Sequence, residues 1–227
     1  MFSKRRNEYL AGGLLLALVV ATVGSIATSP IAVDSFRSGA INVLEDINGD
    51  RDLFFISTSL DIVGNFVAVA LAVALYAVFR RHESTLAILG TVGFVTASIV
   101  FMVGDMLLLS LGSLSQQFFA ASGAQADYVL ASAGAITPML DTAIPMGATG
   151  AGIGLFCYGL LVVVTGAIPR WIGAFGILGG IVAPFGWLLF ANGELVLISY
   201  SGLMIGLLFA LISGLWLIVR GTTEAAA

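Results

Sequence analysis

The segment LFFISTSLDIVGNFVAVALAVALYAVF, residues 53–79, holds one charged side chain in 27 positions, Asp61, with Asn65 one helical turn later. Its length decides what it can become. A helix rises about 1.5 Å per residue, so about 20 apolar residues cross the roughly 30 Å hydrocarbon core of a bilayer. Backbone polar groups find no water there, which leaves the α-helix as the form such a segment takes. Apolar runs at 9–28, 85–112, 141–168, 171–191 and 195–219 repeat the pattern, and bring the expected number of spans to six. The chain is 59% hydrophobic and 10% charged, with a mean hydropathy of +1.07. A soluble domain carries about 25% charged residues, so nothing here is set aside for one.

The first run follows Lys4, Arg5 and Arg6, as the apolar core of a signal peptide would. That core is only about 7–15 residues long, so the longer run is expected to stay as a first span. With the amino terminus inside, Lys4, Arg5, Arg6, Arg80, Arg81, Arg170 and Arg220 all fall inside, and only Arg37 and Arg51 outside. This is the bias of basic residues that orients membrane proteins. The expected fold is an all-α membrane protein, a six-span transmembrane helical bundle with both termini cytoplasmic and one integral domain over 1–227. Its outer connections would be 29–52 and 113–140. Within them, 31–47 reads as a helix along the membrane surface. Residues 128–140, apolar for only 13 positions, read as a re-entrant or interfacial helix. Asp141 reads as the N-cap of the fourth span with Pro145 in its first turn, Pro184 as a kink in the fifth, and Asn192, Gly193 and Glu194 as a tight turn.

Small residues four apart let helix backbones approach closely. Gly150/Gly154, Gly176/Gly180 and Gly202/Gly206 are such pairs, suited to packing within the bundle or to self-association and contact with other membrane subunits. The lipid bilayer is the partner that composition requires. Nucleic acid is not expected, since net charge is −4 and no basic run exceeds three residues. One cysteine, Cys157, excludes an intrachain disulfide and a cysteine-cluster metal site. The single His82 reads as a solvated loop residue.

Two acids interrupt the apolar runs, Asp61 and Asp105, and an ionisable group inside a span is a functional-site hypothesis by default. Counted from the outer ends of their runs, both lie roughly 11–12 Å deep on adjacent antiparallel spans. Ser57, Asp61 and Asn65 share one helical stripe. Ser98 and Asp105 share another, seven residues apart. The intramembrane polar site expected is thus Asp61, Asn65, Asp105, Ser98 and Ser57. Three uses of the pair are open. A proton- or cation-coupled small-molecule transporter would bind its coupling ion there. An intramembrane aspartyl protease also needs two aspartates on adjacent spans, but Val103, Gly104 and Asp105 match only part of its Gly-x-Gly-Asp element, with Met102 in the first glycine's place. The third use is structural, each carboxyl hydrogen-bonding a neighbouring helix. No phosphate loop, nucleophile elbow or paired-histidine zinc motif occurs.

A weak Ca²⁺ candidate lies in DINGDRD, where Asp46, Asn48, Asp50 and Asp52 alternate as in the start of a calcium loop. Arg51 replaces the glycine that the turn needs, and Ser57 the terminal bidentate acid. The plainer reading is an acidic turn capping the second span. No other cofactor is expected.

LDIVGNFVAVALAVALYAVFRRHESTLAILG, residues 60–90, and GLFCYGLLVVVTGAIPRWIGAFGILGGI, residues 154–181, resemble domain of unknown function 4386, a family of small prokaryotic polytopic membrane proteins. Asp61, Leu75 with Tyr76, and Pro169 and Arg170 with Gly173 carry the likeness. It implies a multi-span helical fold in the prokaryotic cytoplasmic (cell inner) membrane, and no known activity, catalytic residue or cofactor. The function expected is non-enzymatic: an accessory or structural subunit of a larger membrane complex, or a small stand-alone module. The carboxylate transporter is the alternative, and an intramembrane enzyme the second alternative.

Overall fold

Apolar runs that must satisfy their own backbone become helices, and in the computed structural model each run does so over its described residues, apart from 166–168. Residues 2–31, 39–188 and 196–223 are described, with side chains over 6–31, 39–185 and 201–220. Among them are seven helices and no strand: α1 (Phe2–Thr28), α2 (Ala40–Gly49), α3 (Arg51–Phe79), α4 (Ser84–Ala120), α5 (Ala124–Thr165), α6 (Arg170–Leu188) and α7 (Val196–Thr223). Five are long and apolar enough to cross a membrane, within α1, α3, α4, α5 and α7. The remaining expected span is seen as a shorter apolar helix, Arg170–Phe185, in α6. The turn expected at Asn192 to Glu194 lies outside the described residues, as do 32–38 of the first connection.

The second connection is corrected. Residues 113–140 are not a loop with a short surface helix: α4 continues to Ala120, and α5 begins at Ala124 and runs unbroken to Thr165. The helix breaks only at 121–123, where Gly123 takes φ 59°, a left-handed conformation that suits glycine. Hydropathy falls over this stretch, but its alanines and glutamines are good helix formers, so polarity did not mean coil. Asp141 is therefore no N-cap, and Pro138 and Pro145 lie inside α5. Each proline lacks an N–H. Thr142 Oγ1 donates to the Pro138 carbonyl at 3.0 Å and Thr149 Oγ1 to that of Pro145 at 2.9 Å, tying each proline to the following turn.

The chain divides into two compact units. The first comprises Met1–Val20, Gly64–Ile99 and Pro145–Ala227. Glycines set its spacing. A Cβ on Gly93 of α4 would stand 2.7 Å from the Gly154 nitrogen and 2.9 Å from the Gly150 carbonyl of α5. The three glycine pairs singled out above are all buried against neighbouring helices of the same chain. Gly12 of α1 meets Gly214 of α7 in the same way. At the centre, Tyr158 fills the space that Gly90 leaves and stacks on Phe94 at 5.7 Å. Its hydroxyl pairs with Thr91 Oγ1 at 2.8 Å and reaches the Ala72 carbonyl at 3.2 Å.

The second unit comprises Ala21–Val63 and Val100–Ile144. Its core is built of larger side chains: Val43, Leu44 and Ile47 of α2 are buried with Phe54, Leu111, Ala133 and Leu140. Ser115 Oγ, buried on α4, donates to the Leu44 carbonyl at 2.7 Å and fixes α2 in place. So α2 packs its apolar face into a helical core and leaves Glu45 and Asn48 exposed.

Candidate functional site

Close helix approach creates the site. A Cβ on Gly24 of α1 would lie 3.1 Å from Leu60 Cδ1 of α3, and the missing side chain brings the next residues together. Buried Ser25 hydrogen-bonds the half-buried Asp61 carboxyl. Sequence reading missed Ser25. Its signal was faint, a small hydroxyl one turn before the end of an apolar run.

The level of Asp105 follows from packing. The Phe54 ring of α3 occupies the space beside Gly112 of α4, where a Cβ would stand 2.7 Å from it. On antiparallel helices, moving seven residues inward from each partner leads to Asp61 on α3 and Asp105 on α4, so the two sit level. Asp105 is buried, at 6% exposure. The neighbouring Gly104 faces Leu140 and Ala143 of α5, at 3.9 and 4.0 Å from where its Cβ would be. Asp141 lies between those two residues. Three carboxyl-bearing residues, on α3, α4 and α5, thus share one level. Asp105 and Asp141 both interact with neighbours.

The remaining expected members behave differently. Ser57 is buried, but its Oγ donates to the Phe54 carbonyl of its own helix at 3.0 Å. Ser98 donates to the Phe94 carbonyl at 2.9 Å. Ser98 and half-buried Asn65 belong to the first unit, Asp61, Ser57 and Asp105 to the second. The five residues therefore do not form one cluster within a unit.

The exposed face of α4 is apolar at Val103 and Met106, then carries Ser110, Ser113 and Gln116 before the exposed Phe119. Leucines 107–109 and 111 had extended the run, but Leu111 turns into the core with α2 and 107–109 are partly buried.

The calcium-loop reading does not hold as geometry. Asp46 and Asn48 sit in the last turn of α2, Asp50 is a one-residue joint at φ −145°, and α3 begins at Arg51. Residues two apart on a helix point to opposite sides, so the alternating oxygens cannot wrap one ion. Among the described residues, no group of three or more His, Cys, Asp or Glu is placed to hold a metal ion.

Five helices long and apolar enough to cross a membrane define a multi-pass helical membrane protein. The chain belongs to the family described as Domain of unknown function (DUF4386), which matches residues 10–221. Both stretches that carried the resemblance fall inside that range. No curated protein and no solved structure matches the chain.

Proposed function

We propose that this is a non-enzymatic six-span protein of the prokaryotic cytoplasmic membrane, an accessory or structural subunit of a larger complex or a small stand-alone module. In this reading its carboxyls tie helices together. The hydrogen bond between Ser25 of α1 and Asp61 of α3 carries the reading, because it engages the Asp61 carboxyl with a neighbouring helix. The hydroxyls of Ser57 and Ser98 are likewise spent on their own backbones.

The sixth span is α6, whose 19 residues reach about 28 Å, enough for the hydrocarbon core. Both termini at one face is supported by the Gly12–Gly214 contact, near the start of α1 and the end of α7. Arg220 Nη1, donating to the Ala167 carbonyl at 2.8 Å, supports the same face for the α5–α6 turn. The basic residues make that face the cytoplasmic one. Single cysteines at exposed Ser122 and exposed Ser84 test this, read against buried Cys157. Impermeant maleimide should label the first from outside and spare the second; labelling of Ser84→Cys in intact cells would break the topology. Purification in a mild detergent tests the subunit reading, which expects the chain to arrive with companions.

A second reading, a proton- or cation-coupled transporter, rests on the three level carboxyls. Its measure is coupled uptake in proteoliposomes, and uptake equal to that of empty vesicles would remove it.

A further inference from the structure

On the outer third of α3, Phe55, Ile56, Ser59, Leu60 and Val63 line a groove of about 340 Å³. Its walls are apolar and open to the surroundings, with Ile56 48% and Val63 53% exposed. In a multi-pass protein this face meets lipid. The end of the groove is unusual for such a face. The Arg51 guanidinium lies over the Phe55 ring at 5.5 Å, which brings a cation to the groove's mouth. Asp52 is exposed and precedes Ile56 by one helical turn, so it heads the adjoining column of the same groove. A cation and an anion therefore stand side by side where the apolar surface begins.

We propose that this groove binds one phospholipid with a primary-ammonium headgroup, its phosphate on Arg51, its ammonium on Asp52 and one acyl chain along 55–63. Length fits: Arg51 to Val63 covers about 18 Å of helix, close to the roughly 15 Å of one leaflet's hydrocarbon. Charge selects the headgroup. A purely anionic lipid would set its phosphate against Asp50 and Asp52 as well as Arg51. A quaternary ammonium has the right charge but no N–H to donate to a carboxylate, whereas a primary ammonium has three. The planar guanidinium is the side chain suited to a phosphate. This inference stands apart from the role of the carboxyl level, and needs only that α3 faces lipid.

The test is native mass spectrometry of the full chain in mild detergent, with phosphatidylethanolamine, phosphatidylcholine and phosphatidylglycerol offered in equal amounts. Phosphatidylethanolamine should be retained at least about fivefold over the other two. Arg51→Gln and Asp52→Asn should each weaken its apparent affinity about tenfold, the scale of one charge-assisted hydrogen bond. Ser59→Phe, which fills the groove and leaves both charges, should do the same. All three positions are exposed or line the groove, so unchanged gel-filtration profiles are expected. Equal retention of the three lipids would overturn the proposal, as would retention unaffected by Arg51→Gln and Asp52→Asn. Preference for phosphatidylglycerol would also overturn it.

Discussion

In the first unit a methyl group added at Gly93, Gly159 or Gly179 would run into the backbone of a neighbouring helix. In the second, Gly24, Gly104 and Gly112 face side chains, and Gly49, Gly123 and Gly134 face nothing within 4 Å. Lipid tails are as apolar as leucine, so helices gain little by hiding leucines from them and associate through close backbone approach. In the second unit, large side chains from an amphipathic α2 build the core instead.

Adding bulk should therefore damage the first unit most. Gly93→Leu must force α4 from α5, because the atoms it meets are backbone and cannot rotate away. The cost should reach about 3 kcal/mol or more, beyond ordinary overpacking, and monodisperse protein should be lost on gel filtration. Gly134→Leu, facing open space, should leave yield and melting temperature unchanged. Comparable damage from both would erase the distinction between the units.

Removing bulk should reverse the ranking. Leu44 is fully buried, and Leu44→Ala should cost about 2–5 kcal/mol, read as a drop in melting temperature. Undocking of α2 would show as faster hydrogen exchange across residues 40–49, with exchange along α7 unaltered. A melting temperature that does not fall would mean that α2 adds nothing to the core of the second unit.

These two regions were unequally legible in the sequence. Spans announced themselves, since a run such as 53–79 has one physical outcome in a bilayer. The glycine pairs could be found by spacing, and their partners follow once helices are adjacent. The α4–α5 hairpin was hidden because its composition is ambiguous. Ser113, Gln116, Gln117 and Gly134 read as connection by hydropathy, yet the helix continues wherever Leu111, Ala133 and Leu140 find α2 to pack on. Asp141 was mistaken for a cap because Pro145 follows it, and only the unbroken α5 brings it level with Asp105. Symmetric counting puts Asp61 and Asp105 at one level, and the packing of Phe54 beside Gly112 leads to the same pairing.

Within the first unit, hydrogen bonds should matter less than spacing. Tyr158→Phe keeps the ring beside Gly90 and Phe94 and removes only the hydroxyl's pairing with Thr91 and its reach to the Ala72 carbonyl. Bonds of this kind inside membrane bundles average about 0.6 kcal/mol and reach about 1.7 kcal/mol. Unfolding in denaturing detergent should place the loss in that range, below that of Leu44→Ala. A larger loss would make Tyr158 the organiser of the unit in place of its glycines.

The smallest effect is expected at the carboxyl level, and it separates the two functional readings. If Asp61 is structural, Ser25→Ala removes one hydrogen bond and should cost about 0.6 kcal/mol. Asp61→Asn keeps a side chain that can still bond Ser25, and should cost less. The double variant should show little beyond the single Ser25→Ala change if the two residues act only on each other, because a double-mutant cycle isolates their coupling. A transporter predicts a different pattern from the same three proteins. Asn cannot exchange a proton, so Asp61→Asn would abolish coupled uptake while stability hardly moved. Ser25→Ala would then shift the pH dependence of uptake without abolishing it. Stability and uptake measured on one preparation thus decide whether the level of Asp61, Asp105 and Asp141 holds the helices or works between them.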